Sequence, residues 1–186
     1  MKKFAIALIG LGMISGCALM RSEAGELAPP FQGQAQDKQN YSMLDITMNR
    51  PLVVLFTSPE GAVEAKAIKA TGILQSALGE KSAQVLIVSQ VSVAEFDTWK
   101  SKVDLPVPTI ADPDRRTSQA YKVKQSPTWV YIGKRGILQG RWEGVSAPMM
   151  GEIIARVATD NDITGANSRA EFPGLAAEPE LGEKLD

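Results

Sequence analysis

Histidine is absent from this chain of 186 residues, and cysteine occurs once, at Cys17. Without histidine there is no Ser-His-Asp or Cys-His arrangement, and both the commonest general base and the commonest ligand for zinc or copper are missing. One cysteine closes no disulfide within the chain and supplies no dithiol pair for thiol–disulfide exchange. A basic excess is lacking too: 20 Lys and Arg stand against 21 Asp and Glu. That balance argues against nucleic acid as a partner, because phosphate contacts need clustered positive charge. Most hydrolase and metalloenzyme classes fall with the histidines, and the composition calls for no metal and no cofactor.

The chain opens Met1-Lys2-Lys3 and continues through an apolar stretch at residues 4–13. A short basic region followed by about ten apolar residues is the pattern of a secretory signal, too short to span a bilayer as a permanent helix. It closes on Ile14-Ser15-Gly16-Cys17, which resembles the lipobox of bacterial lipoproteins. The resemblance implies a signal peptide at residues 1–16, lipid on the Cys17 sulfur, and Cys17 as the first mature residue. The alternative is an ordinary signal peptide with a chance cysteine. Several acyl chains anchor firmly, at about 0.8 kcal/mol per buried CH₂. Residue 18 is Ala rather than Asp, which resembles the sorting pattern for the outer membrane, facing the periplasm. Removal of residues 1–16 takes Lys2 and Lys3 from the 20 basic residues and leaves 18 against 21 acidic, a net charge of about −3.

Residues 17–40 are polar, broken by Pro29-Pro30 and Gly33 and rich in Gln, and are expected to form a tether and lead-in segment. Residues 159–186 hold Asp160, Asp162, Glu171, Glu178, Glu180, Glu183 and Asp186 against Arg169 and Lys184, so an acidic, disordered tail is expected. Between them, residues 41–158 alternate strand and helix. Pro-Leu-Val-Val-Leu-Phe-Thr at 51–57 and Val-Leu-Ile-Val at 85–88 are continuous apolar runs, as strands buried on both faces require. Ser58-Pro59-Glu60 is placed to supply an N-cap, a proline at the first helical position and an acid in the first turn. Val63, Ala67, Thr71, Leu74 and Leu78 then share a helical face, and Gly79 ends it. Ser92 and Glu95 form a capping box. A short helix at 116–121, a β-hairpin at 128–142 and a helix at 148–157 with Met149 or Met150, Ile153, Ile154 and Val157 inward complete an α/β domain with a mixed sheet.

Three stretches resemble the redoxin branch of the thioredoxin superfamily, which includes TlpA-like proteins and peroxiredoxins. Gly25-Glu26-Leu27-Ala28-Pro29-Pro30-Phe31 is similar to the segment that leads into that fold. Residues 105–114 are similar to the stretch reaching its DPDG turn, here Asp112-Pro113-Asp114, and Val123-Lys124-Gln125-Ser126-Pro127-Thr128 is similar to the segment bearing its cis-proline. The resemblance implies a thioredoxin-like fold with a central mixed sheet flanked by helices. Active relatives place a reactive cysteine between the first buried strand and its helix, where the helix N-terminus lowers the thiol pKa. Here that position reads Ser58-Pro59-Glu60-Gly61, a degenerate active site without sulfur.

A cis-proline at Pro127 would shape a groove, and the resemblance implies that the backbone of Ser126 pairs with an extended segment of a partner. Ser126, Pro127, Thr128 and Trp129 are therefore the partner-binding candidates, with Tyr131 as an alternative anchor; Trp and Tyr alternating along a strand are more often core. Glu60, Glu64, Lys66 and Lys69 read as a solvated helix face. The expected function is that of a lipid-anchored, cysteine-less thioredoxin-like module binding an extracytoplasmic protein or peptide without catalysis, a pseudoenzyme. The alternative is a redoxin-type oxidoreductase relying on an external thiol or cofactor. Replacement Cys17→Ser should release the protein from the membrane fraction or block its processing; fractionation indistinguishable from wild type would contradict lipid anchoring.

Overall fold

The computed structural model describes residues 25–185. The signal segment and Cys17 lie outside them. Among the described residues seven strands and five α-helices follow one another as β1 (Gln32–Gln34), β2 (Asn40–Ser42), α1 (Met43–Asn49), β3 (Leu52–Thr57), α2 (Ala62–Leu78), β4 (Gln84–Ser89), α3 (Val93–Lys102), β5 (Thr109–Ala111), α4 (Arg116–Ala120), β6 (Thr128–Ile132), β7 (Leu138–Glu143) and α5 (Ala147–Asp160). The main sheet has the order β5-β4-β3-β6-β7. β3, β4 and β5 are parallel, and β6 and β7 join antiparallel.

β3 and β4 are apolar at Leu52–Phe56 and Val85–Val88 because both of their faces are covered, and every residue of each strand is buried. Alternation divides the side chains between two cores. Val53, Leu55, Val85, Ile87, Trp129 and Tyr131 meet α2, α3 and α5 on one face, where Leu74, Trp99, Met150 and Ile154 are buried. Val54, Phe56, Leu86, Val88 and Val130 meet Met43 of α1 and Tyr121 beyond α4 on the other. The four strands and four helices expected in the 51–157 region are present, joined by the unexpected β5, and Met149 and Met150 both lie in the core. Ser92 caps α3, accepting from the Glu95 amide while its hydroxyl donates to the Glu95 carboxylate. Asp112, in the stretch matched to the family's turn, accepts from the amides of Thr117 and Ser118 and from the Ser118 hydroxyl.

Three expectations need correction. The described part of the expected tether packs on the domain: Ala28 donates to the Gly136 carbonyl, Leu27 bridges Ile137, and β1 pairs with β2. Its backbone finds partners that its polar composition does not reveal. Secondly, α2 starts at Ala62 with Gly61 as N-cap, so Ser58-Pro59-Glu60 forms the loop before the helix rather than its cap and first turn.

The third correction concerns the tail, whose residues 161–185 return across the domain in an ordered path. Asn161 donates to the Tyr131 hydroxyl, the Asn167 amide donates to the Ala77 carbonyl, and Phe172 buries in the core beside α2. Val145 and Glu180 exchange a pair of backbone bonds, both of 3.0 Å. Net acidity is a whole-segment average that conceals the apolar residues Ile163, Phe172, Leu175 and Leu185, which carry the docking.

The Tyr131 hydroxyl is pushed up to about 12, first by burial and against the Asn161 hydrogen bond, which lowers it. An unfolded phenol ionises near 10, so the stability held by the neutral ring is complete below pH 10 and lost as pH climbs towards 12. Urea titrations across that window should give a shallower loss for Tyr131→Phe than for wild type; equal slopes would overturn this assignment.

Candidate functional site

The junction between β3 and α2 faces the loop that precedes β6. Thr57 ends β3, and its hydroxyl donates to the Ser58 carbonyl at 3.0 Å. The Ser58 amide donates to the Ser126 hydroxyl at 3.1 Å, which ties the two segments together across 68 residues of sequence. The Ser58 hydroxyl turns onto the Glu60 carbonyl at 3.0 Å, and the Trp99 indole donates to the Pro59 carbonyl at 2.8 Å. These bonds occupy the groups that would otherwise cap the helix. Gly61 begins α2 at φ +121°, a left-handed-side backbone conformation that a side chain would strain.

Glu64, in the first turn of α2, is 2 % exposed and belongs to no solvated face. It is the second surprise of the helix start. One carboxylate oxygen accepts from the Glu183 amide at 3.1 Å. The other lies so near Gly61 that a Cβ there would stand 2.0 Å from it. An acid in a first helical turn is favoured by the exposed amides and the helix dipole. Lys66, one turn on from the N-cap, pairs with Glu180 of the tail at 2.8 Å, both side chains about one-third exposed. Such a pair contributes about 0–1 kcal/mol and positions more than it stabilises. Glu60 and Lys69 remain exposed, as a wet face requires.

The Ser126-Pro127 bond is cis. Ser126 is fully buried, yet its backbone points at an extended strand: its amide donates to the Glu183 carbonyl and its carbonyl accepts from the Gly182 amide, each at 2.7 Å. Gln125 and Lys184 form an antiparallel bridge beside them, and the Leu185 amide donates to the Lys124 carbonyl at 2.8 Å. The edge expected to pair with an extended partner segment is therefore paired with the chain's own tail.

Of the four partner-binding candidates, Ser126 and Pro127 line this edge, whereas Thr128 and Trp129 turn inward. Trp129 is fully buried between the sheet and its helices, and its indole donates to the Gly144 carbonyl at 3.0 Å. Tyr131 is equally buried. In a strand covered on both faces no side chain is left to meet a partner, so the aromatic-anchor expectation for Trp129 is corrected to core. Sequence reasoning missed Glu64, Glu180 and Gly182. The signal available was Gly182 itself, between Leu181 and Glu183, where only a small residue passes the Glu64 carboxylate: a Cβ there would lie 1.9 Å from it. Among the described residues no group of acid or thiol side chains could hold a metal ion, and no helix is long and apolar enough to cross a membrane.

Residues 24–141 match the family model described as "AhpC/TSA family". No curated protein matches. Among solved structures, one similar to this chain is a protein assigned as the thiol:disulfide interchange protein DsbE of Chlorobium tepidum, at 17% identity and a TM-score of 0.66, covering 74% of this chain and 96% of that one. Another is the pneumococcal exposed lipoprotein thioredoxin Etrx1 of Streptococcus pneumoniae, at 20% identity and a TM-score of 0.63 over 70% and 99% of the two chains. A third is the reduced 2-Cys peroxiredoxin of Plasmodium vivax, at 18% identity and 0.63 over 76% and 99%. At these identities the likeness is one of fold, and it makes the α/β domain thioredoxin-like.

Ser126→Ala removes the acceptor of the buried Ser58 amide. Urea unfolding should show a loss of about 1–3 kcal/mol, the cost of an unsatisfied buried donor, with faster hydrogen exchange at Ser58. An unchanged unfolding midpoint would mean that another group holds the loop.

Proposed function

The chain belongs to the AhpC/TSA family, and from that premise we propose that it is a non-catalytic member, a lipid-anchored module that binds an extracytoplasmic protein or peptide along the Ser126 edge. The anchor is the lipid on Cys17, and the place is the bacterial cell envelope, at the outer membrane facing the periplasm. The observation that carries the reading is the pair of 2.7 Å backbone bonds between Ser126 and an extended segment. Strand addition of this kind draws affinity from the main chain and specificity from the side-chain positions on either side.

The thioredoxin-like fold and the family are those of thiol and peroxide chemistry. Against a catalytic role here stands the sequence at the β3–α2 junction, where Ser58, Pro59, Glu60 and Gly61 carry no thiol and the buried acid Glu64 occupies the first helical turn. Cys17, the single thiol, precedes the matched region 24–141. A carboxylate neither forms a disulfide nor reduces a peroxide.

The test is photo-crosslinking in living cells from residue 124 or 125, beside the edge, with a control probe at Asp45 on α1. A discrete product from the edge positions alone is expected. Products absent, or equal from both faces, would overturn the docking reading. Disulfide or peroxide turnover by the purified protein above the buffer rate would overturn its non-catalytic part.

A further inference from the structure

Residues 180–185 follow the docking edge for its whole length. Glu180 exchanges backbone bonds with Val145 and sets its carboxylate on Lys66 at 2.8 and 2.9 Å. Gly182 and Glu183 take both backbone groups of Ser126, and the Glu183 amide reaches the Glu64 carboxylate. The Gln125 side-chain amide donates to the carbonyls of Gly182, at 2.7 Å, and Glu183, at 3.1 Å. Leu185 is 8 % exposed and lies with Phe56, Tyr121 and Val123 in the core on the α1 face of the sheet, the lower core. Leu181, between these contacts, points to solvent at 56 % exposure. The chain thus recognises an extended segment by an acid opposite Lys66, a glycine at Glu64, and a leucine three residues further on.

The Ser126 amide is taken by Glu183, and its carbonyl already accepts from the Gly182 amide and the Gln125 side chain, so while the tail is in place no other strand can pair there. The hold is also of a releasable kind. It consists of isolated bridges rather than a continuous ladder, the Glu183–Glu64 bond, one ion pair about one-third exposed that salt screens, and the buried side chain of Leu185. Resting on the docking function just given, we propose that residues 180–185 are an internal latch on the partner edge, and that the partner displacing it is an extended protein segment with the same acid, glycine and leucine pattern. A tethered segment competes at roughly millimolar effective concentration, so the free partner must match its chemistry.

The probe is a fluorescein-labelled peptide with the sequence of residues 178–185, followed by anisotropy against the full chain in a Cys17→Ser background. Gly182→Val with Leu185→Asp releases the tail, by the clash at Glu64 and by a charge in the lower core. Gln125→Cys with Lys184→Cys, at bridged positions, locks it when oxidised. Hydrogen exchange at the Ser126 and Gly182 amides reports whether the tail is on or off. The released chain should bind the peptide roughly ten-fold or more tightly than wild type, as removal of a tethered competitor implies. The locked chain should bind none until reduced, and a peptide with Val in place of Gly182 should lose binding to the released chain. Equal binding to wild type and to a chain whose tail has left, or no binding to that chain, overturns the latch. If the released variant does not fold, equal binding by the oxidised and reduced locked chain overturns it instead. Peptide binding without an edge-specific crosslink in cells removes the docking function alone, and a cellular partner crosslinked equally by oxidised and reduced chains removes the latch alone.

Discussion

Ser126 is held on both its side-chain and its backbone sides, and the neighbouring structure follows from how those bonds are shared. Its hydroxyl accepts the Ser58 amide and so fixes the loop between β3 and α2. Its amide and carbonyl both face an extended segment, so the residue can be wholly buried only while something pairs with it. An unpaired buried backbone group costs free energy comparable to a lost hydrogen bond. That requirement explains why a polar, acidic chain end takes an ordered course: residues 182–183 supply what the Ser126 edge needs.

The start of α2 lacks a thiol and holds a buried acid in its place. In a reactive relative the amides and dipole of this helix end would favour a thiolate. Here the first helical turn carries Glu64, a carboxylate that accepts from the Glu183 amide of the tail. Gly61 and Gly182 leave room for it on either side. The helix end thus holds an acid in contact with the tail backbone, and the β3–α2 junction carries no thiol.

Legibility followed distance along the chain. The Ser92–Glu95 cap, the Gly79 stop, the buried runs of β3 and β4 and the apolar face of α5 are all written within a few residues, and the expected elements match. The Ser58 cap failed because the loop's polar groups are bonded to Ser126 and Trp99, 68 and 40 residues away. Glu64 was misread as solvated because its partner lies 119 residues further on. Trp129 and Tyr131 left two readings open, and burial on both sheet faces chose between them.

The sequence by itself determined the order of β3, α2, β4, α3, α4, β6, β7 and α5, the absence of a thiol at the helix start, and the resemblance to redoxins, because each rests on local patterns or on counting residue types. Tertiary structure alone decided that the acidic tail is ordered, that it lies on the Ser126 edge, and that Glu64 is buried beneath it. The physical reason is that backbone pairing between distant segments depends on which unsatisfied donors and acceptors the fold brings side by side. Main-chain groups are the same at every residue, so no residue type announces where they will meet.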